Sequence, residues 1–263
     1  MRIVDIHTHA WPDAVAGKAM HSLMTEGMLK PYYDGTVAGL LAEANRCGVS
    51  ASVIQPVATK PAQVSSINNW AASIAGDGRV VPFGAMHPDL EDPATEIARM
   101  ASLGLRGMKL HPEHQSFAPD EPRLEPIYEA AVRHNMTVFF HAGADEVHET
   151  VHGTPESFVN ILDAFPEMRV VLAHLGGYRV WNHVAELLVG RDVYLDTAYT
   201  LGHLPDADFV EIVHAHGAER VMFGSDGPWT DAKAEIEWLR RLPLRPGILN
   251  AILGENAERL LAL

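Results

Sequence analysis

Cysteine is almost missing from this 263-residue sequence, which contains a single one, Cys47. One cysteine excludes an internal disulfide framework, and it also excludes the cysteine-rich sites that hold structural zinc or iron–sulfur clusters. Cys47 ends a predicted helix just before Gly48, and we interpret it as a packing residue rather than a nucleophile. A metal site in this chain would therefore be built from histidine and carboxylate side chains.

Long apolar runs and basic residues are also scarce. No stretch approaches the roughly 20 apolar residues that span a bilayer, and no cationic region precedes an apolar one as in a signal peptide. We therefore expect a soluble, cytoplasmic protein with no membrane partner. Lysine and arginine number 20 against 34 acidic residues, which gives a net charge of −14. This balance argues against nucleic acid, which favours a basic face.

Eight short apolar stretches alternate with helical ones along the chain. The predicted strands are residues 3–9, 51–57, 80–86, 105–110, 137–140, 169–173, 193–196 and 220–223. They are continuous apolar runs, as expected for parallel strands covered on both faces. Eight β/α units in about 250 residues match a (β/α)8 TIM barrel, an α/β fold. A doubly wound sheet is the alternative, but it usually has a glycine-rich turn after its first strand. No linker divides the chain, so we predict one domain over residues 1–263.

Metal-competent side chains stand at the ends of most predicted strands. His7 and His9 are one residue apart in the first strand, so their side chains point to the same face. The later strand ends carry His87, Lys109, His111, His141, His174, Asp196 and Asp226. In a TIM barrel these ends converge on one mouth, where catalysis takes place. Each histidine alone is more often a hydrogen-bonded loop residue, but the whole set favours a metal site.

The side-chain types also indicate which metal to expect. Neutral imidazoles with a carboxylate suit a borderline divalent cation, and we expect zinc, with manganese or iron as alternatives. Such an ion leaves a position open for water and lowers the pKa of that water towards 7. A nearby carboxylate can then carry a proton to the leaving group.

An ordered set of motifs over nearly the whole chain resembles the amidohydrolase 2 branch of the amidohydrolase superfamily, which are metal-dependent TIM-barrel hydrolases. The motifs are Asp5-Ile6-His7-Thr8-His9, Gly107-Met108-Lys109-Leu110-His111-Pro112, His141-Ala142-Gly143, Ala173-His174-Leu175-Gly176-Gly177 and Phe223-Gly224-Ser225-Asp226. The resemblance implies that His7, His9, His141 and Asp226 bind the metal, and that Asp226 also handles protons. It implies that His174 faces the substrate in one-metal members or binds a second ion in two-metal members.

Lys109 occupies the strand position where two-metal members of this branch place a bridging group, often a carboxylated lysine or a glutamate. We prefer an unmodified Lys109 that contacts the substrate or a carboxylate, and a carboxylated bridge is the alternative. His111 shares the face of Lys109 if the strand continues. We interpret His111 as a pocket residue rather than a ligand.

Aromatic and cationic loop residues are candidates for shaping a substrate pocket. The aromatic candidates are Trp11, Tyr199 and Trp229. Lys60 and Arg179 could hold a substrate carboxylate, as cations do. Ordinary surface charge is an equally good interpretation of Lys60 and Arg179.

The resemblance implies a metal-dependent enzyme and leaves its reaction open. The preferred reaction is hydrolysis of a small-molecule amide, lactone or ester by metal-activated water, in which Asp226 accepts the water proton and His174 stabilises the oxyanion. The alternative is non-oxidative decarboxylation of a small unsaturated or aromatic carboxylic acid, in which His174 or Asp226 protonates carbon. A non-catalytic barrel would need degraded strand ends, and none of the principal positions is lost. Tryptophan and methionine on helices fit a homodimer face as well as core packing.

Overall fold

The computed structural model describes residues 2–27, 29–76 and 78–263, in which short strands alternate with helices. The strands in these ranges are β1 (Val4–Thr8), β2 (Ala51–Ile54), β3 (Val80–Pro82), β4 (Gly84–Ala85), β5 (Gly107–Leu110), β6 (Thr137–Phe140), β7 (Val170–Leu172), β8 (Tyr194–Asp196) and β9 (Val221–Met222). β6 has the predicted bounds, and the other predicted strands run past the paired segments. The predicted strand 80–86 divides at Phe83 into β3 and β4.

The helices follow the strands as predicted, with one addition. In the described ranges they are α1 (Asp13–Glu26), α2 (Val37–Cys47), α3 (Val64–Ile74), α4 (Pro93–Ser102), α5 (Pro112–Gln115), α6 (Glu125–Arg133), α7 (Pro155–Ala164), α8 (Trp181–Leu187), α9 (Asp206–His216), α10 (Ala232–Arg241), α11 (Pro246–Asn250) and α12 (Asn256–Leu261). The addition is the short helix α5, which Pro112 starts with a preset backbone angle. None of the helices described here reaches the length and apolar character that a bilayer span needs.

Side-chain caps explain where several helices begin. The hydroxyl of Thr36 accepts the N–H of Gly39 at the start of α2. Asp92 caps α4 in the same way, and Thr154 caps α7. Each cap satisfies a backbone N–H that has no partner inside the helix. The boundaries are therefore local properties, which is why the sequence pattern predicts them well.

The chain is organised in two compact units, each made of separate chain segments. The unit with both chain ends, here called the terminal unit, comprises Met1–Ile54, Gly76–Val81 and Asp196–Leu263. The other, here called the central unit, comprises Gln55–Ala75 and Pro82–Leu195. The one-domain interpretation stays a prediction.

In the terminal unit, β1 is the strand around which the predicted ligands are placed. It pairs in parallel with β2, which neighbours β3. The chain after β9 also runs beside β1, because the N–H of Ile6 donates to the carbonyl of Phe223 at 2.9 Å. The N–H of Asp226 donates to the carbonyl of His7 at 2.8 Å. This pairing brings the end of β1 and the loop after β9 together.

In the central unit, β4 to β8 are parallel and neighbour one another in chain order. Parallel strands that are adjacent in this way have their carboxyl ends at the same edge of the sheet. His111 follows β5 and His141 follows β6 directly, and His174 comes two residues after β7. The central unit therefore collects three of the strand-end histidines at one edge.

The strands form the interior of each unit. Every residue of β1, β5 and β6 is buried, polar side chains included. In the central unit, the ring of Phe140 in β6 packs against the rings of Tyr128 and Phe158, with centroid distances of 6.2 and 5.4 Å. Burying one such ring stabilises the fold by roughly 1.5–3 kcal/mol. The continuous apolar pattern of these strands is therefore explained by cover on both faces.

Candidate metal centre and active site

Three of the predicted ligands converge in the terminal unit. Nε2 of His7 lies 3.2 Å from Oδ1 of Asp226, and Nε2 of His9 lies 3.0 Å from the same oxygen. These side chains are only 2%, 14% and 14% exposed for His7, His9 and Asp226. One potential ligand atom from each lies within 4.8 Å of the others. Two imidazole nitrogens and one carboxylate oxygen are a donor set that fits a borderline divalent cation.

Asp196 fixes the orientation of one of these imidazoles. Its Oδ2 lies 2.8 Å from Nδ1 of His7, and both side chains are buried. Oδ1 of the same carboxylate accepts the N–H of Ala198 at 2.9 Å. A proton held on Nδ1 of His7 leaves the lone pair of Nε2 pointing at the place where a metal would bind. Asp196 lies at the end of a predicted strand, and the structure assigns it this positioning role.

The loop after β9 is hydrogen-bonded to the backbone of both His7 and His9. Asp226 has a left-handed backbone with φ of 66°, a conformation that aspartate tolerates better than most residues. The carbonyl of Gly227, the next residue, accepts the N–H of His9 at 2.6 Å. Since the N–H of Asp226 bonds to His7, the carboxylate and the two imidazoles are held by one backbone network.

Asp5 supports the same network from within β1. Its Oδ1 accepts the N–H of Ser225 at 2.9 Å and the N–H of His7 at 3.2 Å. Burial raises the pKa of Asp5 to about 7, and the hydrogen bonds from Ser225 work against that rise. On the far side, Tyr33 donates its O–H to the carbonyl of His9 at 2.7 Å. Sequence reasoning missed the role of Asp5, although a carboxylate within an apolar strand was a signal for it.

Of the candidate pocket tryptophans, Trp11 lies next to His9 and Trp229 lies next to Trp11. The ring of Trp11 is stacked with that of His9, with centroids 6.2 Å apart. Trp229 meets Trp11 edge to face at 6.4 Å. The terminal unit therefore has aromatic surface beside its candidate metal ligands, which suits a flat or unsaturated ligand.

In the central unit, the other predicted ligand lies against the predicted catalytic histidine. Nδ1 of His141 is 3.1 Å from Nε2 of His174. Nε2 of His141 is 2.9 Å from the carbonyl of Ala144, so we assign its proton to Nε2 and a lone pair to Nδ1. Burial, followed by the charges of His174 and Lys109, lowers the pKa of His141 well below 6.5. His141 is therefore neutral, as a metal ligand must be.

His111 lies between this pair and a further histidine. Its ring stacks on that of His141, with centroids 4.2 Å apart and planes at 11°. On its other side the ring of His114 is 4.3 Å away. His111 therefore lies beside the predicted ligand His141, and its assignment as a pocket residue stays a prediction.

Glu113 is a buried acid at the same edge that sequence reasoning missed. Its Oε1 accepts the N–H groups of His152 and Gly153 at 3.0 and 2.9 Å. Its Oε2 lies 3.7 Å from Nε2 of His141. Burial raises the pKa of Glu113 to about 7, opposed by those two backbone N–H groups. No pattern in the sequence singles it out, because it lies just beyond the motif that ends at Pro112.

Lys109 is only 1% exposed, and its Nζ lies 4.3 Å from the centroid of the Phe139 ring. A cation over a ring face is attracted by the ring quadrupole, which offsets part of the cost of burial.

Two other predicted residues have local partners. His87 bonds within the loop that carries it, where its Nδ1 accepts the N–H of Asp89 at 3.1 Å. Arg179 forms an ion pair with Glu146 at 3.0 Å with its side chain 54% exposed, which agrees with the surface interpretation.

Comparison with known families identifies the chain. The sequence pattern of the amidohydrolase 2 family, described as amidohydrolase, matches residues 4–263. The chain belongs to the amidohydrolase family. Members of this family are metal-dependent enzymes, so the prediction of an enzyme is confirmed. No curated protein sequence matches the chain.

Solved structures similar to this amidohydrolase cover its full length. An uncharacterised TIM-barrel protein from Bordetella bronchiseptica has a TM-score of 0.81 and 21% identity over 100% of this chain and 99% of the other. A 2,6-dihydroxybenzoate decarboxylase has a TM-score of 0.76 and 15% identity over 100% of both chains. A manganese-bound 5-carboxyvanillate decarboxylase from Novosphingobium aromaticivorans has a TM-score of 0.75 and 13% identity over 100% of this chain and 97% of the other. The fold of this amidohydrolase is therefore a TIM barrel, as predicted.

Proposed function

We propose that this amidohydrolase-family enzyme catalyses the metal-dependent, non-oxidative decarboxylation of a small unsaturated or aromatic carboxylic acid. The observation that carries the metal dependence is the convergence of Nε2 of His7, Nε2 of His9 and Oδ1 of Asp226. Two structurally similar proteins are named decarboxylases of aromatic acids. Their names support decarboxylation over the hydrolysis that the sequence alone favoured.

We further propose that His7, His9, His141 and Asp226 are metal ligands. His7, His9 and Asp226 share one cluster in the terminal unit, and for His141 the proposal rests on the family resemblance. A divalent cation supplies positive charge that binds and polarises an anionic substrate. Zinc and manganese both suit this donor set, and the manganese in the similar carboxyvanillate decarboxylase supports manganese equally.

His174 is the proton donor in this proposal. Decarboxylation breaks the bond from the substrate carbon to its carboxylate, the electron pair stays on that carbon, and carbon dioxide leaves. One proton must then be delivered to the carbon. Because the lone pair of His141 faces His174, the proton between them belongs to Nε2 of His174. If His141 gave that lone pair to the metal, the Nε2 proton of a protonated His174 would be free to move to the substrate carbon, and the neutral imidazole would regain a proton from solvent.

Hydrolysis of an amide, lactone or ester is the second candidate, and the description of the family as amidohydrolase favours it. In that reaction Asp226 would accept a proton from water and return it to the leaving group. The close approach of two imidazoles to Asp226 suits this role as well as metal binding.

Isotope-labelled solvent distinguishes the two reactions. The zinc- and manganese-loaded enzyme would be incubated with a panel of hydroxybenzoic and unsaturated acids and a panel of amides, lactones and esters. Decarboxylation in D2O releases carbon dioxide and leaves one deuterium on carbon, and in H2 18O the decarboxylated organic product takes up no 18O. Oxygen incorporation without carbon dioxide would instead establish the hydrolase and contradict the proposal.

The role of His174 is tested by substitution, with a substitution of His183 as the control. His174→Asn should abolish turnover while leaving metal content unchanged in a one-metal enzyme. His183→Asn should keep turnover, since His183 lies half exposed on α8 and pairs with Glu156. Full activity of His174→Asn would refute the assignment of the proton donor.

A further inference from the structure

Three metal-competent side chains that the proposed reaction does not use meet in the central unit. His114 belongs to α5, whereas Asp145 and His148 lie in residues 144–152, between β6 and α7. One potential ligand atom from each lies within 4.8 Å of the others. The two histidines are 34 positions apart in the chain, so two separate segments supply one donor set.

The two imidazoles are nearly at the spacing that a shared ion needs. Nδ1 of His114 and Nε2 of His148 are 2.9 Å apart, with the ring planes at 86°. A neutral imidazole has one N–H and one lone pair, so two nitrogens this close share either a proton or a cation. In a tetrahedral zinc site with Zn–N bonds of about 2.0–2.1 Å, two nitrogens stand about 3.3 Å apart. A change of a few tenths of an ångström would convert one arrangement into the other.

Asp145 adds the negative charge and positions its neighbour. Its Oδ1 accepts the N–H of Val147 at 2.8 Å and the N–H of His148 at 3.1 Å. This turn sets the direction from which His148 approaches His114. A carboxylate beside two imidazoles completes a three-ligand set of the kind that borderline cations prefer.

His114 is carried by α5, which hydrogen bonds of the neighbouring residue hold in place. Gln115, next to His114, is buried, and its Nε2 donates to the carbonyls of Ala58 and Met86 at 2.7 Å each. Its Oε1 accepts the N–H of His111 at 2.8 Å. Ligands on a supported element need little reorganisation when an ion binds.

We propose that His114, Asp145 and His148 form a second divalent-cation site, of the kind that takes zinc, which fastens residues 144–152 to α5. All three side chains are partly exposed, so an ion can enter from solvent. Three protein ligands leave a position for water. The segment begins with Ala144, whose carbonyl contacts Nε2 of His141. An ion here therefore restrains the segment that orients that imidazole.

The site can be tested by counting metal equivalents on the full-length protein. The chelator-stripped protein would be titrated with cobalt, and its visible spectrum and bound metal per chain recorded, for wild type and five variants. His114→Asn and His148→Asn each remove an imidazole. Asp145→Asn removes the anionic ligand but keeps an oxygen for the turn. His152→Asn is the matched control from the same segment, and His9→Asn removes a ligand of the other cluster.

The proposal expects two equivalents in wild type and in His152→Asn, and one in His114→Asn, His148→Asn and Asp145→Asn. His9→Asn should keep the equivalent whose spectrum is lost in His148→Asn. If His148→Asn, His114→Asn and Asp145→Asn all bind as much cobalt as wild type, the second site does not exist, and the contact is a hydrogen bond between imidazoles. Loss of cobalt in His9→Asn concerns only the cluster used by the proposed reaction, so failure of one idea is distinguishable from failure of the other.

Discussion

Nδ1 of His7 and Oδ2 of Asp196 are joined at 2.8 Å across 189 positions of the sequence, with both side chains buried. A carboxylate at this place fixes the tautomer of the imidazole and raises its basicity as a ligand. Asp196 is therefore predicted to control metal affinity without touching the metal.

Asp196→Asn should weaken metal binding by about 10- to 100-fold, since partners of this kind contribute that much. Competition with a chromogenic chelator at constant pH measures the change. Asp192→Asn is a suitable control because Asp192 is exposed in the same region of the chain. Equal affinities for wild type and Asp196→Asn would show that the carboxylate does not orient His7.

Gly143→Ala should destabilise the protein by about 1–3 kcal/mol, because overpacking and a positive φ act together. Gly143 has φ of 85°, and a Cβ there would lie 2.2 Å from the backbone nitrogen of Tyr178. Urea unfolding measures the loss. Gly104→Ala separates the two effects, since Gly104 has φ of 82° and nothing within 4 Å of an added Cβ. If the two variants lose the same free energy, the close approach to Tyr178 costs nothing.

Asn68→Ala should cost about 1–3 kcal/mol, the penalty for leaving buried backbone groups without a partner. Asn68 is buried, and its Oδ1 accepts the N–H of Ala85 at 2.7 Å. Its Nδ2 donates to Oε1 of Glu96 at 2.6 Å. Thermal and urea unfolding should show a much smaller effect for Asn69→Ala, because Asn69 is exposed. A loss below about 0.5 kcal/mol for Asn68→Ala would mean that water or a shifted strand replaces the amide.

Cys47 should be a slow thiol at neutral and mildly alkaline pH. Burial, followed by the hydrogen bond to Glu43, raises the pKa of Cys47 from 9.0 to about 12. The thiolate fraction at pH 8 is then about 1000-fold lower than for an ordinary thiol, and the thiolate is the reactive form. Iodoacetamide labelling followed by mass spectrometry should give a rate that rises about tenfold per pH unit without a plateau below pH 10.

The raised pKa of Cys47 also determines how the stability of the protein changes with pH. Between pH 9 and 12 the unfolded chain loses the Cys47 proton and the folded chain keeps it, so stability falls as pH rises through this range.

A variant tests the cause of the slow labelling of Cys47. Glu43→Gln removes the neighbouring carboxylate and should speed labelling. A plateau of the labelling rate near pH 9 in wild type would show that the thiol is not perturbed.

Much of the candidate site follows from local rules of sequence. The period of two in a strand places His7 and His9 on one face, and apolar runs between glycine and proline mark the strands whose ends carry His141 and His174. Helix caps such as Thr36 depend only on the next three residues. Side-chain chemistry and short-range periodicity are thus enough to predict a barrel with a histidine and carboxylate metal site.

Other features depended on contacts between distant residues. The predicted strand 80–86 divides at Phe83 because β3 and β4 belong to different sheets. The amide of Ala85 in β4 then bonds to the side chain of Asn68, which no strand pattern encodes. Asp5 can accept the N–H of Ser225 only because β1 and the loop before Asp226 run side by side.

The sequence by itself determined which residue types reach the strand ends, because alternation and apolar runs are short-range properties of the chain. Only the tertiary structure decided that Asp196 orients His7 and that His114 meets His148. Those relationships depend on how strands and loops separated by tens or hundreds of positions are brought together, and a linear pattern contains no distance between them.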